Sequence, residues 1–171
     1  MDNEINLKVK LKTKLYWRVL LIASNNDRFF ISSEGFEELF RELDSMGVKG
    51  ERAAHKALRE GGKVFLGLAK GGVNRSNRKS DKHLIDALAV STVKLDDGGN
   101  KYVSVGTYLG RGRYRNTVYW GHIVEGGHWI VNKGVVRGYV SARPFMQPAF
   151  DNGKDAAAEA VGKIVFKAMG L

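Results

Sequence analysis

The sequence predicts an α+β domain: an antiparallel sheet packed against N-terminal helices and a C-terminal helix, with long basic loops and an N-terminal arm. Three observations lead to it. Helical apolar spacing falls between Phe36 and Ala69 and again beyond Pro144, whereas β-rich runs fall in the first 30 residues and between Val90 and Val140. Elements of one kind are therefore grouped rather than alternated, which argues against βαβ units. Finally, 171 residues suit one domain with an arm, which we place at residues 31–171 and 1–30. Composition is that of an ordinary globular chain, 43% apolar and 27% charged. A chain of this size buries roughly 70% of its unfolded surface. With no cysteine, disulfides, thiolate zinc sites and thiol catalysis are excluded.

In the arm, Ile5, Leu7, Val9 and Leu11 alternate with Asn6, Lys8, Lys10 and Lys12. Period two marks a half-buried strand with a basic outer face. Leu15–Ile22 reads as a second strand or a short helix. The arm is either a hairpin completing the sheet or a segment that reaches a neighbouring copy. Lysines ahead of Leu20, Leu21, Ile22 and Ala23 give it a faint likeness to a secretory signal. Asp2, Glu4 and the short apolar core argue against one, so the chain reads as cytoplasmic at synthesis. No apolar run approaches the roughly 20 residues of a membrane span.

Ser32 or Ser33 followed by Glu34 and Glu37 marks a helix start, an oxygen-bearing cap ahead of acids in the first turn. Phe36, Leu39, Phe40 and Leu43 form its apolar stripe, and Gly47 stops it. A second helix begins near Gly50–Glu51. Its apolar face is Ala54, Ala57, Leu58, Phe65, Leu68 and Ala69, and Gly71-Gly72 ends it. Gly61-Gly62 in its middle predicts a bend or break, at roughly 1 kcal/mol per glycine. Ser80 and Asp81 can cap a short helix carrying Leu84, Ile85 and Leu88. Val90–Leu95 and Lys101–Thr107 flank Asp96-Asp97-Gly98-Gly99-Asn100 as a hairpin. Val118–Gly126 is aromatic and apolar, and Trp129–Val140 reads as a second hairpin or long loop around Asn132-Lys133-Gly134. In the last helix, Arg143-Pro144 sets the first turn. Ala157, Val161, Ile164, Val165 and Ala168 share a face, and Gly170 ends it.

Few residues suggest chemistry. His122-x-x-Glu125-x-x-His128 holds metal-ligand types. However, Gly126-Gly127 breaks a helix before His128, and zinc helices place two His at i and i+4. We read one histidine in a packed helix and one on a loop, with no metal. There is no nucleophile elbow. Gly110-Arg111-Gly112 lacks the third glycine of a dinucleotide site, and Gly71-Gly72 leads to no Gly-Lys-Ser/Thr. Asp96 and Asp97 are turn residues. Neither catalytic residues nor a cofactor are expected, and the chain does not read as an enzyme.

The charge points to partners. Lys plus Arg is 28 against 18 acids, a formal charge of +10, which calls for acidic partners without specifying a fold. Candidate interface cations are Lys8 and Lys10 in the arm, Arg75, Arg78 and Lys79 in one loop, and Arg111, Arg113 and Arg115 in another. Tyr114 stands among the last three, where it could stack on bases. A basic nucleic-acid-binding module is thus an alternative, although no sequence-reading signature accompanies the patch.

Two segments carry a more specific signal. One is Tyr119-Trp120-Gly121-His122-Ile123-Val124-Glu125-Gly126, in which Tyr119 pairs with Ile123 and Trp120 with Val124 at i, i+4. The other is Ala142-Arg143-Pro144-Phe145-Met146-Gln147-Pro148-Ala149-Phe150. Phe145 and Phe150 can plug the base of the last helix, with Pro144 and Pro148 fixing its angle. Arg143 can clamp a carboxylate bidentately, with Glu125 the candidate. Together with Glu34-Gly35-Phe36-Glu37-Glu38-Leu39 upstream, this order resembles the tail-completion, or head–tail joining, family of long-tailed bacteriophages over about Ile31–Leu171. Gly126-Gly127-His128, the stretch Trp129–Val140 and the arm depart from the family's pattern.

The resemblance implies a structural virion protein. It would cap the tail tube and join it to the head connector as a ring, most simply of six copies. Its partners would be itself, the head-closure or connector protein, and the tail tube or tail terminator. Genomic DNA would pass through the lumen without sequence readout. The setting would be the virion neck, and the host cytoplasm during assembly. Another minor capsid or tail component is a further alternative. A closing ring needs a heterologous contact, and the arm could supply it by extending a neighbour's sheet.

Overall fold

The structure, a computed structural model, describes residues 28–32, 37–73, 83–107 and 121–170. In chain order these are β1 (Arg28–Ser32), α1 (Glu37–Ser45), α2 (Val48–Gly72), α3 (Leu84–Ala87), β2 (Ala89–Val90), β3 (Lys94–Leu95), β4 (Lys101–Gly106), α4 (Gly121–Gly126), β5 (His128–Asn132), β6 (Val135–Val140) and α5 (Met146–Met169). The fold is α+β, with small antiparallel sheets, N-terminal helices and a C-terminal helix.

β4 is the centre of the main sheet. β1 pairs along one side in antiparallel register, from Arg28 opposite Gly106 to Ser32 opposite Tyr102. β2 and β3 share the other side, Val90 opposite Val105 and Lys94 opposite Tyr102. Beyond β2 the ladder continues through Ser91, whose N–H donates to the Ser104 carbonyl at 2.8 Å. The Ser91 hydroxyl accepts the Ser104 N–H at 2.9 Å and donates to the Thr92 carbonyl at 2.7 Å, so this buried hydroxyl is satisfied. β1 crosses residues 30 and 31, where the sequence reading ends the arm, and it belongs to the body's sheet. Residues 1–27 lie outside the described residues.

The two long helices form the body's spine. α2 and α5 pack along each other, and α1 and β4 close the core around them. Leu39, Phe40 and Leu43 of α1 meet Ala54, Ala57, Leu58 and Phe65 of α2, Val103 and Val105 of β4, and Ala157, Val161 and Val165 of α5. The expected stripes face inward at these positions, but Leu68, counted on the apolar face of α2, is 41% exposed, and Phe36 lies outside the described residues. A second cluster closes the far end, where Ala69, Leu84, Ala87 and Leu88 surround Phe145, Met146 and Ala149.

The bend expected at Gly61-Gly62 does not occur; α2 runs unbroken from Val48 to Gly72. The glycines serve close approach instead. A Cβ on Gly61 would stand 2.9 Å from Val161 Cγ2 of α5. One on Gly62 would stand 2.8 Å from Val90 Cγ1 of β2. α5 reciprocates with Gly153, where a Cβ would meet Leu68 Cδ1 at 2.7 Å and Phe65 Cδ1 at 3.0 Å. The entropy lost by glycine in a helix is thus exchanged for a tighter helix–helix and helix–sheet fit.

Candidate functional site

The start of α5 is built from a distance. No side chain of its own caps this helix. Glu125, at the end of α4, does so instead. Its Oε2 accepts the N–H groups of Phe145 at 2.7 Å and Met146 at 3.0 Å, and Oε1 accepts that of Gln147 at 3.1 Å. Pro148 comes next and has no N–H to satisfy. A carboxylate here also meets the positive end of the helix dipole. The Arg143 N–H adds a 2.8 Å bond to the Val124 carbonyl. α4 and the head of α5 are therefore held together across some twenty residues of intervening chain.

Two expectations change as a result. Glu125 does not clamp the Arg143 guanidinium, because its oxygens are engaged by backbone donors; the Arg143 side chain is exposed. Pro144 is not the first-turn proline. The helix starts at Met146, so Pro148 occupies the first turn and Pro144 precedes the cap residue Phe145. Phe145 does plug the base, at 1% exposure. Phe150 stacks on Phe65 with ring centroids 5.7 Å apart.

Between the two clasped ends stands the hairpin β5–β6. Its turn residues Lys133 and Gly134 have φ of 49° and 78°, the paired positive values of a type I′ turn, whose twist suits a hairpin. Register pairs Trp129 with Tyr139 and Val131 with Val136, with an irregularity between Ile130 and Val131. The Trp129 and Tyr139 rings lie 4.9 Å apart. The Tyr139 hydroxyl donates to the Gly126 carbonyl at 3.3 Å, tying the strand to the foot of the hairpin. There Gly127 has φ of 71°, and a Cβ would stand 2.5 Å from the Tyr139 hydroxyl. Above this foot the strands are open. Trp129 is 65% exposed, Val136 59% and Val131 58%, and Ile130, Val135, Tyr139 and Val140 are also exposed. This apolar surface is the most prominent one among the described residues, and it lies on the stretch that the sequence reads as a hairpin or long loop.

The remaining candidates separate clearly. Gly121, His122, Val124, Glu125 and Gly126 sit on α4, and Val124 packs on the cluster around Phe145. Tyr119, Trp120, Lys8, Lys10, Arg75, Arg78, Lys79, Arg111, Arg113 and Arg115 lie outside the described residues. His122, Glu125 and His128 do not gather as a ligand set. Among the described residues no group of His, Asp and Glu could hold a metal, and no helix is long and apolar enough to cross a membrane. The sequence reading missed a row of cations along the outer face of α2. Its signal was the 3-4-3-4 spacing of Lys49, Arg52, Lys56, Arg59 and Lys63.

The fold and its most exposed chemistry define a structural domain, a packed helix pair and sheet bearing an apolar finger. Residues 37–127 match a family model described as "Bacteriophage HK97-gp10, putative tail-component". The chain belongs to this HK97-gp10-like family of phage tail components, and the matched segment ends at the foot of the hairpin. No curated protein and no solved structure matches the chain.

Proposed function

We propose that this protein works in the neck of the virion, where a ring of copies caps the finished tail tube and joins it to the head connector. The ring has six copies, matching the symmetry of a tail tube. Its contacts are to itself, to the head-closure or connector protein, and to the tail tube or tail terminator. DNA passes through the lumen without sequence readout, and no reaction is catalysed. The protein is made and assembled in the host cytoplasm and ends in the virion.

Family membership supports a tail role. The observation that carries the assembly reading is the hairpin. Two strands alone are marginal in water, and a contiguous apolar surface of this kind marks an interaction site. The hairpin keeps both faces open, with Trp129, Val131, Val136 and Tyr139 exposed on one and Ile130 and Val135 on the other. It is thus ready to be covered when particles form. The basic loops and the arm are the candidate ring and connector contacts.

Electron microscopy of lysates from a phage lacking this gene tests the reading. Filled heads beside separate complete tails, joined when purified protein is added, are the expected result. Joined particles formed in the absence of the protein would reject the neck role.

A further inference from the structure

We infer that the outer face of α2 is a binding surface for the phosphate backbone of duplex DNA. At about 100° per residue, Lys49, Arg52, Lys56, Arg59 and Lys63 fall within an arc of about 80°. All five are exposed. The arc lies opposite the face buried through Ala54, Ala57, Leu58, Gly61 and Phe65. At about 1.5 Å of rise per residue the row is about 21 Å long, a cation every 5 Å or so. Successive phosphates on one strand rise about 3.4 Å, so flexible lysine and arginine stems can reach them.

The row is not there to stabilise the helix. Arg52–Lys56 and Arg59–Lys63 are like-charge i, i+4 pairs, which oppose helix formation. Of these five, only Lys63 has a carboxylate partner among the described residues, Glu60 at 2.6 Å. Lys49, Arg52, Lys56 and Arg59 have none there. A shallow depression between Arg52, Lys56, Arg59 and Lys63 also takes in His55 and Glu60. The balance of residue types favours nucleic acid over an acidic protein. Protein interfaces are poor in lysine and centred on apolar and aromatic side chains, and none of the exposed large apolar residues lies between Lys49 and Lys63. Interfaces with DNA are more polar and far more positively charged. With no sequence-reading motif beside it, the row is assigned to phosphate contact and not to base edges. The inference rests on the neck reading for the source of the DNA, and it assigns α2 to the side of the protein that the DNA passes.

The test uses the full chain, a 30-base-pair duplex and fluorescence anisotropy at 50 and 200 mM NaCl. Five phosphate contacts predict that wild-type affinity falls roughly 10²–10³-fold over this range, and equally for a scrambled duplex. In the triple variant R52Q/K56Q/R59Q, with two contacts left, the fall should shrink to roughly tenfold. Its thermal unfolding should be no lower than that of wild type, since the replaced side chains are exposed and two like-charge pairs are relieved. The loop variant R111Q/R113Q/R115Q controls for the other cations. Wild-type affinity and salt dependence in the triple variant would overturn the inference, as would an absence of wild-type binding at 50 mM. A triple variant that binds DNA normally but fails to join heads to tails would also overturn it and assign the row to an acidic protein. Wild type that binds DNA through α2 yet joins no particles would instead reject the neck reading and leave the α2 surface standing.

Discussion

Removing the Glu125 carboxylate leaves the N–H groups of Phe145, Met146 and Gln147 without their acceptor. We expect Glu125→Ala to destabilise the protein by about 2 kcal/mol in urea unfolding, the upper range for a lost cap. Glu125→Gln should lose less, because one oxygen still accepts. The α2 glycines give a paired prediction. Gly62→Ala must push against Val90 and should destabilise by about 1–3 kcal/mol. Gly67→Ala, where a Cβ meets nothing within 4 Å, should stabilise by about 0.5–1 kcal/mol. At the β3–β4 turn, the Asn100 N–H donates to Asp96 Oδ1 at 2.7 Å and the Asn100 amide to Oδ2 at 3.1 Å. The backbone bond, then the side-chain bond, holds the Asp96 carboxyl below its ordinary 3.8. Its contribution to the turn is therefore present above that value and lost as pH falls through the lower folded one. An NMR titration should show this depression, and Asn100→Ala, which removes the amide bond but keeps the larger backbone one, should reduce it without abolishing it. The partner of Glu125 was not legible in the sequence. Spacing names an acid near a helix start but does not reveal that the acid arrives from twenty residues upstream. A guanidinium three residues ahead of the helix was the more obvious partner.

Periodicity showed the elements themselves well. Apart from the exposed Leu68, the described stripes of α1, α2 and α5 and the hairpin around Asp96–Asn100 stand where apolar spacing and turn residues place them. The failure at Gly61-Gly62 is instructive. Helix propensity concerns the isolated helix, whereas these positions were set by Val161 and Val90 across the interface. The strand pair β5–β6 was visible as a pattern, but its exposure was not, since an apolar strand in a sequence reads as buried. Because the finger contributes little to the core, Trp129→Ser should shift unfolding by no more than about 0.5 kcal/mol. The same variant should lose head–tail joining in the add-back experiment. Normal joining with Trp129→Ser and Val136→Ser combined would place the assembly contact elsewhere.

At the scale of the whole molecule, the two ends of the finger enter and leave the body side by side. Glu125 and the backbone bond from Arg143 to Val124 pin them there. The cost of closing a flexible loop between such fixed ends grows only slowly with its length. Replacing residues 128–141 by a short glycine–serine linker should therefore leave the melting temperature of the body within a few degrees of wild type, while abolishing assembly. The body and the finger can consequently be altered separately. The clasp makes the finger an interchangeable part, one that a lineage of phages can lengthen, shorten or recolour to suit a new neighbour without reopening the core on which folding depends.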